Sequence, residues 1–271
     1  MPRSKWWIGM QLKVTTWNIN SVRLRIDLVA KFIKAVRPDV LCLQETKCPD
    51  DAFPLKRFRR LGYEHIALHG QKGYHGVSVV SRLPFDTTNK KGYCGKTDAR
   101  HIGVTFGEKA GLRDPLTVHN YYVPAGGDEP DPQINPKFAH KLSFLNELRE
   151  CQHMLPAPNE RSIVVGDLNV APLECDVWSH KALLKVVSHT PIECAKLLAA
   201  QKAANWIDAA RTFVREPEKP GGATARRIGR LPTRAGGSIM SGFRQGSVIV
   251  SPGSRLRKMR AAGRGRRTTF R

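Results

Sequence analysis

The chain has 271 residues, 41% of them hydrophobic, enough for one large domain or two small ones with a substantial core. No apolar stretch approaches membrane-spanning length, and the basic segment Met1–Met10, with Trp6-Trp7-Ile8, is too short for a secretory signal, so a cytoplasmic protein with no membrane partner is expected. The net charge of +22 points to a polyanionic partner, but thirteen of the 45 Lys and Arg residues and none of the 23 Asp and Glu residues lie in 220–271, so the body is only moderately basic.

Residues 1–11 read as an N-terminal extension, with Met10 as an alternative start. Leu12 to Trp17 predicts a strand running into Asn18-Ile19-Asn20, with Ser21 as an N-cap. Val22, Ile26, Val29, Ile33 and Val36 recur at helical spacing and predict a helix that ends before Pro38. Val40–Gln44 is a buried strand with Glu45 at its C-terminal end. Further strands are predicted at Val77–Ser81, after Gly73-Tyr74-His75-Gly76, and at Leu116–Tyr122, before Val123-Pro124-Ala125-Gly126-Gly127. Phe138, Leu142, Leu145 and Leu148 mark a helix. The β-branched run to Val165 is a strand that ends in Gly166-Asp167-Leu168-Asn169. Leu183–Ala204 reads as largely helical, interrupted by Pro191. Strands alternating with helices predict an α/β fold. The six cysteines are scattered without a CxxC pair and are expected to be reduced.

Asn18, Glu45, Tyr122, Asp167 and Asn169 all fall at or just past the end of an apolar strand. Each taken alone is ordinary loop chemistry, because Gly, Asp and Asn are the commonest turn residues. Together, two carboxylates, two carboxamides and a tyrosine suit a hard divalent cation and a phosphate. Magnesium wants oxygen ligands and keeps several waters, so one or two carboxylates suffice.

Four segments then carry a resemblance: Thr16-Trp17-Asn18-Ile19-Asn20-Ser21-Val22-Arg23, Leu43-Gln44-Glu45-Thr46-Lys47, Asn120-Tyr121-Tyr122-Val123-Pro124 and Gly166-Asp167-Leu168-Asn169-Val170-Ala171-Pro172. In this order they resemble exonuclease III, the magnesium-dependent apurinic/apyrimidinic endonuclease family of DNA base-excision repair, over about Leu12 to Glu218. The resemblance implies a four-layer α/β sandwich of two packed mixed β-sheets flanked by helices, here incomplete at the C-terminus. The implied domain spans 12–219.

The resemblance also implies roles. Glu45 would bind Mg2+, or Mn2+ in its place, with Asn18, Asp167 and Asn169 in the metal and phosphate pocket and Asn20 supporting it. Asp167 would orient or deprotonate the attacking water, Asn169 would hold that water or the phosphate, and Tyr122 would hydrogen-bond the scissile phosphate. Arg100 lies where the family contacts the DNA backbone. His75 and His119 do not match the family's catalytic position and are expected to be structural. The implied reaction is metal-assisted hydrolysis of the phosphodiester 5′ to an abasic site, with 3′–5′ exonuclease activity. The implied partner is double-stranded DNA with abasic sites or 3′ ends, met by a nucleoid-associated monomer.

After Lys219 the sequence departs from that family. It expects an aromatic segment with an aspartate, an Arg-Leu-Asp-aromatic strand and a Ser-Asp-His-x-Pro segment carrying the catalytic histidine. Residues 220–271 instead hold ten glycines and no Asp, Glu, His, Trp, Tyr or Cys. One reading is a disordered basic tail that binds nucleic acid. The other is a frameshift near Lys219-Pro220. Shifted by two bases, codons for Gly221–Ala225, Gly236–Gly242 and Arg267–Arg271 can spell Trp-Ser-Tyr-Arg, Arg-Leu-Asp-His-Val-Trp and Asp-His-Val-Pro. On that reading the chain as written is poorly active and poorly stable. The alternatives are a non-catalytic nucleic-acid-binding protein that uses its basic tail, or another phosphodiesterase of the same fold.

Overall fold

The computed structural model describes residues 12–151, 161–209, 211 and 247–250, the last four as backbone. Residues 1–11 and all of 220–271 except 247–250 lie outside the described residues. Strands β1 (Val14–Asn18), β2 (Val40–Gln44), β3 (His65–His69) and β4 (Val77–Ser81) form one sheet in the order β1-β2-β4-β3. Strands β5 (Thr87–Asn89), β6 (His101–Phe106), β7 (Leu116–Tyr122), β8 (Arg161–Asp167), β9 (Ile207–Asp208) and β10 (Ser247–Val250) form a second sheet in the order β5-β6-β7-β8-β10-β9. Each sheet is mixed. β1 pairs parallel with β2 and β7 with β8, and the other pairs are antiparallel.

Side-chain alternation along the strands builds the layers. Val40 and Cys42 of β2 face an apolar core shared with Ile102, Val104, Val118 and Val165 of the second sheet. Leu41 and Leu43, one residue out of phase, face Val29 and Ile33 of α1 (Ile26–Val36) and Phe58 of α2 (Leu55–Arg59). On the outer face of the second sheet, Tyr121 and Val164 pack against Phe144, Leu145 and Leu148 of α3 (Pro136–Glu150) and Leu197 and Ala200 of α5 (Pro191–Ala203). The period of two thus divides β2, β7 and β8 between two cores, giving four layers: helix, sheet, sheet, helix. Each fully buried Val or Leu contributes about 1.5–3 kcal/mol.

Three expectations change. Ser21 does not cap α1: it has φ 83°, turn residues follow, and the helix starts five residues later at Ile26 with no side-chain cap. Its amide donates to the Glu45 carbonyl at 2.7 Å instead, because the Asn18–Val22 loop pairs with the chain after β2. Pro191 does not interrupt a helix but opens one. It is the first residue of α5, where its missing N–H costs nothing, and α4 (His180–Leu183) is separate. Ser247–Val250, inside the segment read as a tail, form a strand between β8 and β9, with Ser247 opposite Gly166 and Val250 opposite Ile163. The short strands β3, β5, β6 and β9 carry little sequence signal of their own and add to those expected. Among the described residues all six cysteines are free. No described helix is long and apolar enough to cross a membrane.

Candidate functional site

The strand ends meet because a buried polar lock joins the two sheets beside them. Asn120 of β7 is fully buried; its amide NH2 donates to the carbonyls of Leu43 and Ser78 at 3.0 Å each, and its Oδ1 accepts from Gln44 Nε2 at 2.6 Å. Gln44 also donates to Thr16 Oγ1 at 2.9 Å. Buried amides must be satisfied, so this network holds β1, β2, β4 and β7 in one register at their functional end.

Asn18, at the end of β1, links the two acids. Its Oδ1 accepts the Asn20 backbone N–H at 3.1 Å, which fixes the amide's orientation. Its Nδ2 then donates to Glu45 Oε1 at 2.7 Å and to Asp167 Oδ2 at 2.8 Å. As placed, Asn18 is therefore a donor that bridges two carboxylates, and its oxygen accepts the Asn20 N–H. Asn20 accepts from Lys47 Nζ, which also pairs with Glu45 Oε2 at 2.9 Å. Burial pushes the Glu45 carboxyl up. Hydrogen bonds from Asn18 and Lys47, the Lys47 charge and the Tyr122 hydroxyl outweigh it, so Glu45 ends below the ordinary carboxylate value.

Tyr122, the last residue of β7, donates its hydroxyl to Glu45 Oε1 at 3.0 Å. Burial first, then the charge of Glu45, pushes its ionisation well up, so it stays a protonated donor. Arg100, expected at the DNA backbone, is only 6% exposed. A desolvated guanidinium needs partners, and it finds them internally. It pairs with Asp98, donates to the Tyr122 carbonyl at 3.2 Å and lies 5.2 Å from the Tyr122 ring centroid. His75 completes this wall, its ring 6.1 Å from that of Tyr122 and its Nε2 3.4 Å from Arg100. Burial, then the Arg100 charge, lowers its pKa to about 4, so it is neutral near pH 7. His119 lies within β7, its Nδ1 3.1 Å from His101 Nε2.

The turn after β8 is shaped by Gly166. Its φ is 145°, and a Cβ there would sit 2.0 Å from the Tyr121 carbonyl oxygen, so only glycine lets β8 approach β7 this closely. Asp167 Oδ1 then accepts the Asn169 N–H at 3.1 Å, and Asn169 Nδ2 donates to the Val123 carbonyl at 2.8 Å. Asn169 Oδ1 is buried and has no hydrogen-bond partner among the described residues.

That oxygen tests the fit of a divalent ion. A buried carboxamide oxygen lacking a partner, beside an ionised Glu45 and the second carboxylate of Asp167, is a hard oxygen set. Among the described residues no group of three His, Cys, Asp or Glu side chains could hold a metal. The residues therefore fit an ion that keeps much of its water, as Mg2+ does, and do not fit a caged transition metal. The structure brings Asn18, Asn20, Glu45, Tyr122, Asp167 and Asn169 together. Lys47 and Asp98 also belong to the site. Lys47 was legible as the second residue after Glu45, whereas nothing in the local sequence marked Asp98.

Fold and site define a class: an α/β sandwich whose two sheets converge on a polar, acid-bearing cleft at their strand ends. The profile of the Endonuclease/Exonuclease/phosphatase family matches residues 15–193, and the chain belongs to that family. It is 31% identical over 173 residues to exodeoxyribonuclease III of Haemophilus influenzae, covering 61% of this chain and 60% of that protein. It is 26% identical over 217 residues to a DNA-(apurinic or apyrimidinic site) endonuclease of Dictyostelium discoideum, covering 79% of this chain and 56% of that one. The chain thus spans little more than half the length of these relatives. Among solved structures it is similar to an AP endonuclease from Archaeoglobus fulgidus, with 26% identity and a TM-score of 0.69 over 89% of this chain and 87% of that one. It is also similar to a 3′–5′ exonuclease from Neisseria meningitidis, with 25% identity and a TM-score of 0.70 over the same shares.

Proposed function

We propose that this chain is a DNA-repair phosphodiesterase by descent, acting on double-stranded DNA at abasic sites and 3′ ends, and that its turnover is impaired. The observation that carries the reading is the pairing of Glu45 with Asp167 through Asn18, beside the buried Asn169 oxygen. Glu45, Asn169 and Asp167 would hold a divalent ion, which when bound would neutralise charge building on the phosphate oxygens. Tyr122, kept protonated, would turn its one hydroxyl proton from Glu45 to a non-bridging phosphate oxygen. Asp167, oriented by Asn18 and the Asn169 N–H, positions the attacking water and accepts its proton. Lys47 screens Glu45 and adds positive charge for the DNA backbone.

The impairment rests on residues 220–271, which contain no Asp, Glu or His to serve as an acid for the leaving oxygen. One missing acid–base group costs about 10²–10⁴-fold in rate. The purified chain, mixed with a fluorescent abasic-site duplex and Mg2+, should bind the duplex but incise it about 10²–10⁴-fold more slowly than exodeoxyribonuclease III. Full-rate incision would overturn the impairment, and binding indifferent to the abasic site would overturn the substrate. We further propose that 220–271 is encoded out of frame, which the nucleotide sequence around Lys219 decides. A second reading, nucleic-acid binding without cleavage, is favoured by the thirteen Lys and Arg of 220–271. Replacing those thirteen residues with Gln, which leaves Ser247–Val250 in place between β8 and β9, would abolish binding if this reading holds, and would leave abasic-site preference intact under the first.

A further inference from the structure

Lys141 of α3 and Glu193 of α5 form an ion pair whose side chains are both fully buried. Desolvating two charges is expensive, and an apolar pair of the same volume often serves stability as well or better. Something other than stability has to account for the charges. Their remaining hydrogen bonds give the reason.

Among the described residues, the acceptors of Lys141 Nζ include three. These are the Glu193 carboxylate, the Asn169 carbonyl at 2.7 Å and the Ala125 carbonyl at 3.2 Å. Glu193 accepts from the Ser188 N–H at 3.0 Å, the Thr190 N–H at 3.2 Å and the Thr190 hydroxyl at 2.6 Å. The pair thus ties together the loop after β7, the turn after β8, α3 and the start of α5. Gly126 keeps the path clear: a Cβ there would lie 2.9 Å from Lys141 Cδ.

The Asn169 end is the part that matters. Asn169 has φ 51°, a left-handed conformation that asparagine tolerates better than most residues and that three hydrogen bonds hold here. Its N–H is held by Asp167, its Nδ2 by Val123 and its carbonyl by Lys141. With those three groups fixed, Oδ1 points where it does. We infer that Lys141 is a positioning residue for the site: its ammonium, neutralised by Glu193, fixes the Asn169 peptide and so aims the Asn169 oxygen at the ion and phosphate. The inference rests on the functional reading above only for what Asn169 binds.

The test compares two neutral pairs that differ by one donor. K141M/E193Q removes the donor to the Asn169 carbonyl without leaving a buried charge, and K141Q/E193Q restores an N–H donor. Mn2+ affinity is measured by electron paramagnetic resonance, Asn169 amide exchange by NMR, and stability by urea unfolding. Outer partners of metal ligands are typically worth 10–100-fold in affinity. K141M/E193Q should lose about 10-fold or more in Mn2+ affinity and lose Asn169 amide protection, and K141Q/E193Q should recover both. Equal Mn2+ affinity and equal Asn169 protection in wild type and K141M/E193Q would overturn the inference. So would equal losses in both variants, or unfolding of both at the same lowered urea concentration, since either assigns the pair to stability alone. If the wild-type chain itself binds no Mn2+, the functional reading fails, while the Asn169 exchange comparison still decides the positioning role.

Discussion

Asn18 and Asp167 lie 149 positions apart and are joined by a 2.8 Å hydrogen bond from the Asn18 amide to Asp167 Oδ2. The same NH2 group holds Glu45, so one carboxamide keeps two carboxylates together across the gap between the sheets. Removing it with Asn18→Ala leaves two carboxylates facing each other without the donor that bridges them. Stability at pH 7 should fall by about 1–3 kcal/mol, read from the urea midpoint. Asn18→Asp should fall further, because it adds a third carboxylate. A stability equal to wild type in Asn18→Ala would show that solvent replaces the bridge.

Tyr122→Phe deletes one hydroxyl and leaves the ring against Arg100. The lost bond to Glu45 costs stability only about 1 kcal/mol. Single-turnover incision of an abasic duplex should fall about 10²-fold, the effect of losing one positioned donor to a developing charge. An unchanged rate would remove Tyr122 from the phosphate site.

Gly166→Ala tests the close approach of β8 to β7. A Cβ would meet the Tyr121 carbonyl at 2.0 Å, and the nearest atoms are all Tyr121 backbone rather than a side chain free to move. The cost should exceed about 3 kcal/mol, beyond the usual effect of a point change. A urea midpoint within experimental error of wild type would contradict the register of β7 and β8.

Asn120→Leu tests the lock between the sheets. It removes an acceptor from Gln44 Nε2, which keeps Thr16 Oγ1, and one donor from each of the carbonyls of Leu43 and Ser78 in a buried site. Losing these buried bonds should cost about 1–3 kcal/mol and lower the unfolding temperature. Retention of the wild-type melting temperature would mean that the network does not join the sheets.

His75 sets an acid limit on stability. Its folded pKa is about 4, against an ordinary 6.5, through burial first and the Arg100 charge second. Between pH 6.5 and 4 the unfolded chain takes up a proton that the folded chain refuses. Stability therefore falls as the pH drops through this window and is unaffected by His75 above it. With the side chain 26% exposed, solvent screening reduces the loss to about 1–3 kcal/mol. His75→Asn, which tolerates the left-handed backbone, should flatten the difference between urea midpoints at pH 7 and pH 5. An equal slope in the variant would assign the acid sensitivity to other groups.

Much of the fold and site was legible in the sequence. Short apolar or β-branched runs mark β2, β4, β7 and β8. The polar residues ending those strands, with their motif order, point to Glu45, Tyr122, Asp167 and Asn169 as one site. These are local signals, because burying a strand on both faces leaves its trace in consecutive residues. The tertiary structure decided the rest. It drew Arg100 inside against Tyr122 and set Asn18 as a donor that bridges Glu45 and Asp167. It also set Lys141 and Glu193 beneath the Asn169 turn. Each of these depends on which distant group satisfies a buried charge or amide, and a partner brought from tens to more than a hundred residues away leaves no pattern in the neighbouring sequence.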